Sequence, residues 1–208
     1  MSAAPLSAEA FAAQCGVSRE TLDRFHTYLD LLRRWQSAIN LVGPATLRDP
    51  WRRHFWDSAQ ILPHIPENAQ ALLDIGSGAG FPGMVLAILG VRGVALVESD
   101  GRKAAFLREV ARAAGVAVTI HADRLEHLHG RIAPPDIITA RAVASLDLLL
   151  DQIKLYMTPN TVCLFHKGRQ VDSEIAQARA RWTMRLEKIP SETDPAGVIL
   201  RMEDIRGG

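Results

Sequence analysis

The sequence predicts an α/β fold: a mostly parallel sheet of seven strands with helices on both faces, preceded by a small N-terminal helical segment. Three observations predict it. From Ala71 onward, short apolar runs alternate with stretches of helical periodicity. One run, ending Asp74-Ile75, leads through Gly76-Ser77-Gly78-Ala79-Gly80 to Pro82 and a second apolar run, Met84 to Leu89. Residues 1–66 carry helical periodicity, and their apolar faces need the sheet of residues 67–208 as a partner.

The elements follow in order. Residues 1 to 6 read as a loose tail. Ser7 caps a helix that runs through Gln14 and ends at Gly16. Ser18 caps the next, where Leu22, Phe25, Leu29, Leu32 and Trp35 recur at three- and four-residue steps. After a loop at Val42-Gly43-Pro44, Asp49-Pro50 opens a helix with Trp51, Phe55, Ala59 and Leu62 on one face. Pro63 to Pro66 closes that segment. The strands are the run ending at Ile75, then Val94–Glu98, Val116–Ile120, Asp136–Ala140, Thr161–Phe165, Met184–Ile189 and Val198–Met202. Helices are expected over Arg102–Ala114, from Ser145 to about Tyr156, and over Gln170–Trp182.

The chain has 208 residues, enough for one domain with a modest extension and a full core. Its 48% hydrophobic and 23% charged residues are ordinary for a globular protein. A net charge of +1 announces no nucleic-acid partner in bulk, but arginine greatly outnumbers lysine among the 24 basic residues, and arginine is the better phosphate fork. The two cysteines, Cys15 and Cys163, form neither a disulfide framework nor a zinc spacing. There is no signal-peptide pattern and no apolar run of membrane length. The reading is a reduced, cytoplasmic, monomeric protein with no membrane partner and no metal.

The glycine stretch carries the chemistry. Gly76, Gly78 and Gly80 let the chain turn sharply and let a ligand lie against bare main chain, while the helix beyond offers free N–H groups. This suits a nucleotide-type cofactor at the carboxyl end of the first strand. The spacing is not that of a dinucleotide fold, because Phe81 occupies the sixth place of G-x-G-x-x-G. With Asp74 two residues ahead, D-x-G-x-G-x-G resembles motif I of the class I S-adenosylmethionine (AdoMet) methyltransferases, whose sheet is Rossmann-like. Glu98 ends the second strand, 22 residues after Gly76, where an acid accepts hydrogen bonds from ribose hydroxyls. Asp123-Arg124-Leu125-Glu126 follows the third strand, at the edge where a loop closes over an adenine ring. His127 and His129 lack a third spaced ligand and read as a solvated loop. Arg141, ending the fourth strand, falls near both cofactor and acceptor. Lys167, ending the fifth, is placed for a phosphate contact. Arg48, Arg52, Arg53 and His54 make a phosphate-facing patch, against which stands a solvated helix face with Arg53 and Asp57 as an i,i+4 pair. From these residues, a small-molecule methyltransferase and a non-enzymatic RNA-binding assembly factor stay open as alternatives.

A closer resemblance narrows them. Trp35 with Asn40-Leu41, Arg53-His54 with Asp57-Ser58, Asp74 through Gly83, Arg102-Lys103 with Phe106-Leu107, Arg124 with Glu126, Arg141-Ala142 with Ser145, and Lys167-Gly168 together resemble the RsmG (GidB) family of bacterial 16S rRNA guanine-N7 methyltransferases. The match spans about residues 30 to 170, leaving the last 40 without a functional assignment. The resemblance implies methyl transfer from AdoMet to guanosine 527 of 16S rRNA in the small ribosomal subunit or its precursor. It also implies cofactor contacts by Gly76, Phe81, Leu125, Glu126 and Arg141. Guanine N7 carries a free lone pair, so no catalytic base is expected, and Asp74 is the acid expected near the charge that develops on the ring.

Overall fold

The computed structural model describes residues 4–207; the expected tail at residues 1 to 6 lies partly outside them. Helices α1 (Ala8–Cys15) and α2 (Arg19–Gln36) begin where the serines predict. Ser7 Oγ accepts the Ala10 N–H at 3.1 Å and Ser18 Oγ the Thr21 N–H at 3.2 Å, while Gly16 closes α1 in the left-handed conformation.

The helix expected after Asp49-Pro50 forms differently. Trp51–Trp56 is a π-helical turn that runs into the short α3 (Asp57–Ala59). The wider turn brings Trp51, His54, Phe55 and Ser58 all inside. Trp51 and Phe55 pack with Phe11 and Phe25 in one aromatic cluster, ring centroids 4.9 to 6.1 Å apart.

The alternating part gives β1 (Leu72–Ile75), α4 (Gly83–Ile88), β2 (Val94–Val97), α5 (Gly101–Ala114), β3 (Thr119–His121), β4 (Ile137–Arg141), α6 (Leu146–Ile153), β5 (Val162–Lys167), α7 (Val171–Ala178), β6 (Trp182–Pro190) and β7 (Val198–Gly207). The sheet order is β3-β2-β1-β4-β5-β7-β6. β1 to β5 run parallel, and β7 returns antiparallel between β5 and β6. The seven-stranded, mostly parallel sheet is the one expected. α7 ends earlier than expected because Trp182 already belongs to β6, buried, its indole N–H donating to Asp147 at 3.1 Å.

Strand alternation splits the core into two layers. Leu72, Leu96, Ile137 and Leu164 face α1, α2, α4 and α5; Leu73, Ile75, Ile138 and Phe165 face α6 and α7. α4 approaches β1 closely at Gly83, where a Cβ would fall 2.7 Å from Asp74 Cβ, so only glycine lets helix and strand meet. No helix among the described residues is long and apolar enough to cross a membrane.

Candidate functional site

The carboxyl ends of the parallel strands open into a cavity of about 540 Å³. Its wall runs from Glu98 after β2, through the glycine loop after β1 and Arg141 on β4, to His166 on β5 and Val198 on β7. That path crosses four strand spacings, roughly 19 Å, long enough for a nucleoside cofactor and a second ring.

The β1 end is made of main chain. Gly78 has φ +56°, and a Cβ there would meet nothing nearer than Gly76 O at 3.8 Å, so the backbone faces open space. Its N–H donates to Glu98 Oε2 at 2.8 Å, and the Asp100 N–H donates to Oε1 at 2.8 Å. Glu98 is therefore a buried carboxylate that fixes both the glycine loop and the start of α5 while still lining the cavity.

The β4–β5–β7 end is a side-chain network. Arg141 Nη1 donates to Asp57 Oδ2 at 2.8 Å and to Arg53 O at 3.1 Å. Its Cζ lies 4.8 Å from the Phe81 ring centroid. His54 stacks on Phe81 at 4.8 Å and 18°. Thr46 Oγ1 donates to Gly43 O at 2.6 Å, so at 2.7 Å it accepts the His54 Nε2–H, leaving Nδ1 as acceptor for Arg141 Nη2 at 3.2 Å. Burial, reinforced by Arg141, holds the His54 pKa down to about 3, so the ring is neutral. Asp57 also accepts from Thr193 Oγ1 and from Gln60 Nε2 at 3.1 Å. Burial pushes its carboxyl upward, but His166, Arg141 and these donors outweigh it, and the pKa lies below the usual range. His166 Nε2 donates to Asp57 O at 2.7 Å, which leaves its buried Nδ1 without a partner.

Of the residues singled out by sequence, Gly76, Gly78, Phe81, Glu98, Arg53, His54, Arg141 and Lys167 all line this one cavity. Others do not. Asp74 is completely buried beneath the loop, where Thr139 Oγ1 donates to it at 2.7 Å and burial raises its pKa to about 6. It is not the acid that faces the acceptor. Gly80 lies beneath the loop too, against Tyr28, Met84 and Leu107. Leu125 is buried and Glu126 exposed on a 3-10 turn after β3, outside the cavity lining.

The proposed phosphate patch divides. His54 is buried and uncharged, hence no cation for a phosphate. Arg52 is spent on Asp49 at 3.0 Å and Ala4 O at 2.9 Å, and Arg48 does not reach the cavity wall. Lys167 donates to Ala144 O at 2.6 Å and Glu174 at 2.7 Å, which neutralises it. Arg53 reaches the wall, but it pairs with Asp194 at 3.5 Å; its i,i+4 neighbour Asp57 belongs to Arg141. His127 Nδ1 meets Asp123 at 2.8 Å in an exposed turn.

Gln60, His166, Thr193 and Asp194 also build this end of the site, without a motif that marks them in the sequence. His166 carries one local signal, its place at the carboxyl end of a parallel strand. Gln60 carries none, as one polar residue at the end of a helical stretch, and Thr193 and Asp194 carry none, since the β6–β7 loop reads as an ordinary polar turn.

Comparison with known proteins gives a family and a fold. The family model described as rRNA small subunit methyltransferase G matches residues 21–194. The chain is 56% identical over 196 residues to the Ribosomal RNA small subunit methyltransferase G of Rhodospirillum centenum, covering 94% of this chain and 89% of that protein. It is 50% identical over 200 residues to the protein of the same name from Rhodospirillum rubrum, covering 96% and 98%. Among solved structures, a putative O-methyltransferase from Klebsiella pneumoniae superposes with a TM-score of 0.60 at 18% identity, covering 94% of this chain and 95% of that one, a likeness of fold.

Proposed function

This chain belongs to the rRNA small subunit methyltransferase G family, and from that premise we propose that it transfers the methyl group of AdoMet to N7 of a guanosine in 16S rRNA. The observation that carries the reading is the single cavity joining the bare glycine loop and Glu98 to the Arg141–Asp57 network. The open backbone side of Gly78 and the Glu98 carboxylate fit the nucleoside of AdoMet, with Phe81 and Arg141 between them and the acceptor. When bound, AdoMet supplies a methyl group on a sulfonium.

The rest falls to the residues of the chain. N7 has a lone pair and needs no base, which suits a site whose His54 is neutral with both ring nitrogens engaged. Catalysis then rests on alignment, worth roughly 7–11 kcal/mol at best. In A-form RNA the N7 edge lies in a groove that side chains cannot enter, so the target guanosine must be unpaired or flipped out. A small-molecule methyltransferase calls for a closed, apolar acceptor pocket; here Arg53, Lys103 and Asp194 line the wall.

The same reading makes the partner 16S rRNA within the small subunit or its precursor, and the enzyme a cytoplasmic monomer. It takes residues 67–208 as the AdoMet-binding domain and 1–66 as the helical segment packed on it. The test is radiolabelled methyl transfer to ribosomal particles from a strain lacking the gene, followed by nucleotide mapping. Label at a guanine N7 of 16S rRNA is expected; label elsewhere, or none, overturns the reading.

A further inference from the structure

The acceptor end of the cavity holds two carboxylates, and they differ in what remains free. Asp57 is consumed by Arg141, Thr193 and Gln60. Asp194 is not. Its Oδ1 accepts the Ala196 N–H at 3.0 Å, its Oδ2 stands 3.5 Å from Arg53, and 43% of the side chain is exposed on the cavity wall. Each oxygen keeps a lone pair to spare.

The loop carrying Asp194 is held by its own hydrogen bonds. Ser191 N–H donates to Gly197 O at 3.0 Å, and Gly197 N–H to Asp194 O at 2.8 Å. Gln60, buried on the N-terminal segment, accepts the Glu192 N–H at 2.9 Å and ties the loop to the body. The carboxylate is thus held in place without help from a substrate.

We propose that Asp194 recognises the acceptor guanine, accepting the N1–H and one hydrogen of the N2 amino group. The proposal rests on the N7 reading above. If N7 faces the glycine loop after β1, the N1–N2 edge points away from it along the row of strand ends. Asp194 lies that way, on the cavity wall in the loop that leads into β7, 3.5 Å from Arg53 and next to Thr193, which bonds Asp57 beside Arg141 of β4 and His166 of β5. Guanine presents two donors on this edge. Adenine presents a lone pair at N1, which a carboxylate repels, so the contact discriminates between the purines.

The contact also favours the reaction. The N7–carbon bond forms as the carbon–sulfur bond breaks; the electron pair returns to sulfur and positive charge passes to the purine. No proton moves. A cationic ring makes N1–H a stronger donor, so the bond to Asp194 tightens toward the transition state, which is what accelerates a step.

The test compares wild type with Asp194→Asn and Asp194→Ala in single-turnover methyl transfer to small subunits lacking the modification, with AdoMet affinity measured by calorimetry. Both variants should slow transfer about 10- to 100-fold, the span of a hydrogen bond to a charged group, with AdoMet affinity unchanged; melting should be unchanged in Asp194→Asn, which keeps an acceptor for the Ala196 N–H. The same Asp194→Asn loss should recur in an Arg53→Ala background; if it vanishes there, Asp194 only holds Arg53 and the assignment is overturned. An Asp194→Asn enzyme as fast as wild type on N7 overturns the assignment alone. Wild-type methylation at an atom other than guanine N7 overturns the function reading and this assignment with it.

Discussion

Arg141 at the end of β4 and Asp57 in α3, 84 residues apart, form a 2.8 Å ion pair with both side chains mostly buried. The pair joins the sheet to the N-terminal segment, and Thr193 joins it to the β6–β7 loop. Removing one partner of such a pair leaves a buried charge, which costs about 3–5 kcal/mol when burial is complete.

Asp57→Ala should therefore lower unfolding stability by about 3 kcal/mol and slow methyl transfer further by freeing Arg141. Urea titration gives the first quantity, and single-turnover transfer on the folded fraction the second. A variant as stable and as active as wild type would show that the pair is ornamental.

His54 gives a pH signature. Its folded pKa, about 3, lies below its ordinary value of 6.5, so between these values the unfolded chain binds the extra proton. Its contribution is complete above pH 6.5 and is lost as pH falls. Asp74, raised to about 6, acts with the opposite sign between its ordinary 3.8 and 6. Since Asp74 is present in both proteins, comparing wild type with His54→Gln isolates the histidine. Going from pH 7 to pH 5, wild type should lose about 2 kcal/mol more than the variant. Parallel urea midpoints at both pH values would contradict a neutral, buried His54.

At the glycine loop, Gly78→Val should abolish measurable AdoMet binding, because its side chain would project into the cavity. The fold should survive with a loss of about 1–2 kcal/mol for a left-handed residue. Glu98→Ala should weaken AdoMet by about 1.5–3 kcal/mol and loosen the loop, since Glu98 also holds the Gly78 and Asp100 N–H groups. Calorimetry with urea titration separates binding from folding; normal AdoMet affinity in the Gly78 variant would mean the loop has been misassigned.

The arginines should divide as their partners do. Arg53→Ala should lower RNA affinity and flatten its salt dependence by a slope of about one for a lost phosphate contact. Arg52→Ala should instead cost stability, because Arg52 is bound to Asp49 and Ala4. Arg181, in the turn before β6, pairs with Asp147 and Asp151 and should leave RNA binding untouched. Equal losses in all three variants would make the RNA contact diffuse.

Whatever depends on near neighbours in the chain is legible in the residues alone. Ser7, Ser18 and Gly16 announced the ends of α1 and the start of α2 because a cap bonds within three residues. The run into Gly76, Gly78 and Pro82 announced strand, turn and helix because left-handed turns and helix starts are local chemistry. Short apolar runs announced seven strands, since a strand of a sheet covered on both faces is apolar along its length whatever its partner.

Which charges meet depends on how the strands are ordered and packed. Asp57 had a plausible partner at Arg53, but the order β1-β4-β5-β7 brings Arg141, His166 and Thr193 to it from 84, 109 and 136 residues away. Burial beside Arg141 then took the charge from His54, and the return of β7 beside β5 carried the β6–β7 loop, with Asp194, to the cavity wall. Those outcomes follow from burial and long-range pairing, whose free energies belong to the folded arrangement and leave no period or spacing in the chain.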